Sequence, residues 1–373
     1  MRKLATLVAL LTTLSLHAQD SYQFTTVIDL EATPIISQGR TGTCWSFSAS
    51  SFIESEIIRL TGKMINLSEM YTVRQTYMDK AENYVMRQGL ANFSEGGLAH
   101  DVLNSIKANG LVPNEAYNGL DEGSNYHNHA EMVAVLESMV KTYADNPGEK
   151  LSKKWRPAVS AVLDVYLGKA PETFAYEGKT YTPQSFLKMT QINPDDYVSI
   201  TSFNHADFYS SFILNIPDNF SNGSFYNLPL DEFIRTLDNS LENGYSVEFD
   251  CDVSEPTFSA KHGLAIIPED AQNNKVALEG LYPELAVSQQ FRQDEFENFT
   301  TTDDHLMHIM GLVNDQKGNK YYKVKNSWGN NSDRIGNDGF INMSESYMRL
   351  KTISITVHKD AIPKDIAKKL GLK

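Results

Sequence analysis

The chain has 373 residues, with 47 Asp and Glu against 33 Lys and Arg and a formal net charge of −14. That excess of acid argues against nucleic acid as a partner, because phosphate backbones are held by cationic surface. Two cysteines are too few for a disulfide framework, so the core holds by packing, and the length allows two domains or one large domain with insertions.

The chain opens with Arg2 and Lys3, then a run over residues 4–16 that is apolar apart from Thr and Ser, then Leu16-His17-Ala18 before Gln19. A charged start, a short apolar stretch and a small residue at its end read as a signal peptide over residues 1–18, too short to span a bilayer comfortably. No later segment reads as a membrane span. The expected product is a soluble protein, secreted or periplasmic, with residues 19–373 as its folded unit.

From Cys44 the pattern turns helical. Ala49, Phe52, Ile53, Ile57 and Leu60 recur at helical spacing, and Gly62 supplies the stop. Residues 67–86 and 98–109 also read as helices, the second ended by Gly110. Residues 131–143 and 151–166 continue the pattern on either side of Pro147-Gly148, with Trp155 and Phe174 expected in the core. Thr182-Pro183 starts a further helix, since Thr caps well and Pro suits a first turn. Leu230, Phe233, Ile234, Leu237 and Leu241 mark another, closed by Gly244. Strand signals follow. Residues 245–253 form a strand-like run in which Cys251 is expected as a small buried thiol, free like Cys44. Residues 309–314 and 321–326 flank the turn-like Asp315-Gln-Lys-Gly-Asn319 and make an expected hairpin. Helices early and strands late give an α+β class in two lobes, with a cleft between them.

Gln38-Gly-Arg-Thr-Gly-Thr-Cys44-Trp45 carries the first chemistry. A cysteine where a loop turns into a helix has unpaired N–H groups and a positive helix end beside its sulfur, which favour the thiolate. The Gln38 amide is placed to donate to the oxyanion formed when that thiolate attacks a carbonyl. Far downstream, Asp303-Asp304-His305-Leu-Met-His308-Ile-Met-Gly311 offers an imidazole base, and Asn326-Ser-Trp328-Gly329 offers a residue to orient it. These residues fill every role of a cysteine hydrolase. His308 competes with His305 as the base. Asp303, Asp304, His305 and His308 could instead form a metal cluster, but no second His/Glu motif of metalloprotease spacing supports one. His127-Asn-His129 reads as a solvated polar loop.

Gln38-Gly-x-x-Gly-x-Cys44-Trp45, Glu95-Gly96-Gly97, His305 followed by Gly311, Asn326-Ser-Trp328-Gly329 and Gly336-Asn-Asp-Gly339-Phe340-Ile341 together resemble papain-type cysteine peptidases. Within that group residues 67–82 and 244–253 are similar to the bleomycin hydrolase and aminopeptidase C branch, and the resemblance spans residues 36–357. It implies a papain-like two-lobed α+β fold: a helical lobe with the nucleophile helix, and a β-barrel-like lobe with His305 and Asn326. A large insertion is expected over roughly residues 120–300. The resemblance assigns Cys44 as nucleophile, His305 as base, Asn326 as its orienter and Gln38 as oxyanion donor. Trp328 would cover the His305–Asn326 bond, and Gly96 and Gly97 would let a substrate backbone approach. No metal or cofactor is implied, and the partners are peptide or protein substrates. Relatives form hexamers, which leaves this chain's own oligomeric state open.

The relatives also extend a C-terminal arm into the cleft, where its carboxylate holds the substrate's free amine. Residues 357–373 resemble the approach to that arm and are shorter. The implied activity is removal of residues from peptide N-termini. An endopeptidase or dipeptide-releasing enzyme with an open cleft is one alternative. A peptide-binding protein on an inactive peptidase fold is another.

Overall fold

A computed structural model describes residues 21–120, 123–145, 148 and 150–372; the expected signal peptide and Pro147 lie outside the described residues. The leading part is helical after one strand: β1 (Thr25–Asp29), α1 (Cys44–Thr61), α2 (Glu69–Met86), α3 (Ala99–Asn109), α4 (Ala130–Ala144) and α5 (Trp155–Leu167). A small hairpin of β2 (Phe174–Tyr176) and β3 (Lys179–Tyr181) leads into α6 (Pro183–Thr190). Then come β4 (Tyr197–Thr201), β5 (Ser211–Ile213), β6 (Ser224–Asn227), α7 (Leu230–Glu242), β7 (Val247–Cys251), β8 (Phe258–Ser259) and β9 (Leu264–Ala265). The trailing part is α8 (Asn274–Glu279), α9 (Gln289–Glu297), β10 (His305–Asn314), β11 (Lys320–Lys325), β12 (Phe340–Ser344), α10 (Glu345–Lys351), β13 (Thr352–His358) and α11 (Lys364–Lys369).

The helices begin and end where the side chains allow. Ser68 Oγ accepts from Tyr71 N at 3.0 Å to start α2, and Thr182 caps α6 with Pro183 in its first turn. Gly62 takes φ of 68° at the end of α1, a backbone conformation that costs glycine little. Every residue of α1 from Cys44 to Ile57 is buried. A helix enclosed on all sides lies between two bodies of structure, and α1 does. One core joins α1 to α6, with Trp155 and Phe174 inside it; the other joins α7, the sheet and α11. Polar side chains join the two: Ser48 Oγ donates to Glu248 of β7, and Ser51 Oγ contacts His308 of β10 at 3.0 Å. The two-lobed α+β fold is as expected.

The main sheet runs β5-β6-β4-β13-β7-β10-β11-β12-β9-β8, with β1 paired to β10. Strand β10 is shared between partners. His305–Ile309 pairs with β7, and the pairing with β1 starts only at Gly311, after an irregularity. A Cβ on Gly311 would lie 2.2 Å from Ile28 O, so only glycine lets β1 come this close. The predicted hairpin is β10 and β11. Strands β4 and β13 carry no clear sequence signal. In β13 every residue is buried, so the alternation that marks a half-exposed strand is missing.

One expectation is corrected. His127-Asn-His129 is not a solvated loop. Arg40 N donates to His127 O at 2.8 Å and His129 N to Arg40 O at 3.3 Å, while the His129 ring is buried. Those two backbone bonds draw a polar segment under the Gln38 loop, and burial pushes His129 down to about 4. Both cysteines are free.

Candidate active site

Cys44 is the first residue of α1, and Thr43 before it makes no side-chain cap. Thr43 Oγ1 is instead 2.6 Å from Thr41 Oγ1. The first-turn N–H groups of α1 are therefore left for whatever charge forms at the sulfur. The loop ahead of Cys44 is held from the other side by Glu95. Its carboxylate accepts from Gly42 N and its carbonyl from Trp45 Nε1, the latter at 2.9 Å.

His305 begins β10, on the far wall. Its Nε2 lies 2.8 Å from Asn326 Oδ1. That same oxygen accepts from Ser327 N at 2.7 Å, so the atom facing the ring is an acceptor and Nε2 carries the proton. Nδ1 is thereby left as the basic nitrogen. The Trp328 ring lies 5.0 Å from the imidazole, centroid to centroid, and covers this contact. The two walls meet at the sulfur, where the backbone of Leu306, next to His305, favours the thiolate.

Gln38 links them. Ser327 Oγ donates to its Oε1, and its own N–H donates to Ser327 O at 2.8 Å. Gln38 Nε2 donates to Thr41 O at 2.7 Å, which uses one of its two amide hydrogens. His308 lies apart from this group. Three residues along a strand reverse the face, and His308 points into the interior with Ser51, Glu54, Glu69 and Lys325.

Gly97 is buried and Gly96 half-buried, and protein fills the space where a Cβ would stand on each. A Cβ on Gly97 would come within 3.1 Å of the Trp45 ring, and one on Gly96 would fall 2.0–2.1 Å from the Asp218 carboxyl atoms. Asp218, Glu95 and Ser327 are site residues that sequence reasoning passed over. Glu95 and Ser327 at least sit inside recognised motifs. Asp218 lies in a loop with no motif at all.

Burial decides the resting charges. It pushes the Cys44 thiol up to about 12; bonding at Leu306 and Trp45 opposes this, and the Asp218 and Asp250 carboxylates add to it. Burial also pushes His305 down to about 4, against the pull of Asn326. Burial thus disfavours a lone thiolate and a lone imidazolium, each without the other's charge beside it. Moving a proton from Sγ to Nδ1 keeps the net charge unchanged and makes the pair when it is needed. Among the described residues no three His, Cys, Asp or Glu side chains are grouped as metal ligands.

A family model described as peptidase C1-like matches residues 84–372. Aminopeptidase G of Lactobacillus delbrueckii subsp. lactis is 24% identical, covering 90% of this chain and 83% of that protein. Aminopeptidase C of Listeria innocua is 23% identical, covering 89% and 81%. The mitochondrial cysteine proteinase 1 of Saccharomyces cerevisiae is 23% identical, covering 97% and 82%. The crystal structure of PepW from Lactobacillus rhamnosis superposes with a TM-score of 0.74 over 93% of this chain and 84% of that one, at 18% identity, which shows a shared fold. With a match across most of its length, on a papain-like α+β architecture, the chain belongs to the peptidase C1-like family.

Proposed function

We propose that this protein is an exported cysteine aminopeptidase in which Cys44 is the nucleophile, His305 the base, Asn326 its orienter and Gln38 an oxyanion donor. The observation that carries the reading is the meeting of the Cys44 sulfur with the backbone beside His305, whose outer nitrogen is fixed by Asn326. Relatives named aminopeptidase G and aminopeptidase C support the direction of cleavage. His305 Nδ1 takes the thiol proton as sulfur attacks the carbonyl of the first peptide bond. The uncapped N–H groups of α1 and the second amide hydrogen of Gln38 face the oxyanion, the latter worth roughly 3–4 kcal/mol. The imidazolium then protonates the leaving amine, and water releases the acyl group.

Aminoacyl reporters with a free amine, set against N-blocked peptide reporters, test this. Free-amine turnover is expected, with a fall of roughly four to six orders of magnitude in Cys44→Ala. Preference for blocked reporters would remove the aminopeptidase reading, and unchanged activity in Cys44→Ala would remove the cysteine mechanism. Export rests on the charged and apolar run ahead of Gln19. The intact mass of the exported protein should correspond to a chain beginning at Gln19; an uncleaved cytoplasmic product would refute it.

A further inference from the structure

The Cβ side of Gly96 is covered by the Asp218 carboxyl group, which the Lys80 ammonium offsets only in part. Asp218 lies in the loop between β5 and β6, and its carboxyl group rests directly on the Gly96 Cα. Its backbone N–H donates to Asp303 Oδ2 at 3.1 Å, two residues before His305. It therefore bridges the segment that holds Trp45 and the strand that begins with His305. The loop is rigidly tied. The Asn219 side chain bonds Leu214 O, Gly223 O and Gly223 N, Asn83 donates to Phe220 O, and Ser221 Oγ donates to Asp101.

The Asp218 carboxylate accepts no hydrogen bond from the described residues. The nearest cation, Lys80, donates to Gly96 O instead. Behind it stands a second buried acid: Asp250 is 1% exposed, with the Asp303 carboxyl as its side-chain hydrogen-bond partner. It faces Asp303 and Asp218. Burial raises both acids, so the group holds a proton at rest and can take up a cation in its place. The tail, by contrast, is docked elsewhere. Residues 364–372 lie on α7, with Ile366 and Leu370 in the trailing core and ion pairs from Asp365 to Arg235 and from Lys369 to Glu232.

We propose that Asp218 receives the free α-ammonium of the substrate and so sets cleavage one residue from the N-terminus. This rests on the peptidase reading only for the position of the scissile carbonyl. An α-ammonium lies roughly 2.5 Å from the carbonyl carbon of its own residue, which fits an anion placed beside the nucleophile. A chain extended further toward its N-terminus along Gly96 would meet the same side chain. The anchor also couples binding to chemistry. The carboxylates of Asp218 and Asp250 both hold the Cys44 thiol up, and Asp218 itself faces Lys80, Asp101 and Asp303. An ammonium on Asp218 offsets the opposition of that carboxylate to the thiolate.

The test uses the full chain carrying Cys44→Ala, which binds without turnover, and a leucyl peptide with its amine free or acetylated, followed by calorimetry. The free amine should bind roughly ten- to a hundredfold more tightly. Adding Asp218→Asn should remove that preference and leave acetylated-peptide binding within about twofold, and Asp218→Glu should restore part of it. In protein that retains Cys44, Asp218→Asn should shift the pH profile of iodoacetamide alkylation to lower pH. Equal weakening of both peptides, no weakening, or an unmoved alkylation profile would overturn the proposal. So would an acetylated lysyl peptide binding as well as the free leucyl one, which would make Asp218 a side-chain pocket. If the amine preference holds while Cys44-intact protein cleaves no reporter, the anchor stands and the peptidase reading falls. Cleavage without any Asp218 effect gives the reverse.

Discussion

Two groups of buried acids flank Cys44 and His305, and they are built differently. Behind the pair, Glu54 and Glu69 share the interior with Lys325. Glu54 accepts from Leu67 N at 2.7 Å and from Thr33, and Lys325 donates to Thr33 at 2.9 Å. Burial pushes Glu54 up to about 7 and Glu69 up to about 8, and the Lys325 ammonium pulls both back. In front, Asp218, Asp250 and Asp303 stand together, with Asp303 pushed up to about 7 by burial and by Asp218. Among the described residues none of the three is in an ion pair, and the Lys80 ammonium offsets the burial of Asp218 only in part. A group that contains both signs is a closed piece of structure. A group of one sign, opening toward a cleft, is satisfied by protons at rest and by a cation from outside.

The difference is tested most severely by removing the rear cation. Lys325→Met leaves two buried carboxyls without their partner, which should cost about 3–5 kcal/mol at pH 8 and lower Tm by about 4–7 °C. At pH 5 both acids are protonated in either protein, and the loss should shrink to less than half. Calorimetric melts at the two pH values read this directly. An equal loss at both would mean that Lys325 acts through packing, and the rear group would no longer count as electrostatically closed.

The parts of the site that the sequence revealed are those whose meaning is local. Cys44 at a helix start follows from the spacing of Phe52, Ile53 and Ile57, and the hairpin of β10 and β11 follows from two apolar runs around Asp315–Asn319. His305 rather than His308 faces Asn326 because strand alternation sends the other ring inward, and the distance from His305 to Gly311 is now explained by the approach of β1. What stayed hidden depends on distant contacts. Asp218 is an ordinary loop aspartate until Gly96 and Asp303 are folded against it. His129 looked wet because nothing local reveals its pairing with Arg40. The enclosure of Cys44 and the two remote aspartates that raise its thiol were hidden for the same reason, since neither is readable from a helix start.

The smallest effect sharpens the contrast by changing sign. Burial and the neighbouring carboxylates hold Asp250 well above the usual carboxylate range. A carboxyl raised in the folded state binds its proton more tightly there than in the unfolded chain. Its contribution to stability is complete below its unfolded value of about 4 and is lost as pH rises through the folded value. Asp250→Asn removes that titration and places an amide donor beside the Asp303 carboxyl. At pH 8 the variant should therefore be more stable, by about 1 kcal/mol or about 2 °C in Tm, and at pH 5 it should be no more stable than the parent. Taking an anion from the front thus stabilises at the pH where taking the cation from the rear destabilises. A lower Tm for Asp250→Asn at pH 8 than at pH 5, relative to the parent, would mean that the front acids are already balanced within the fold, and a substrate ammonium would have no uncompensated charge to meet.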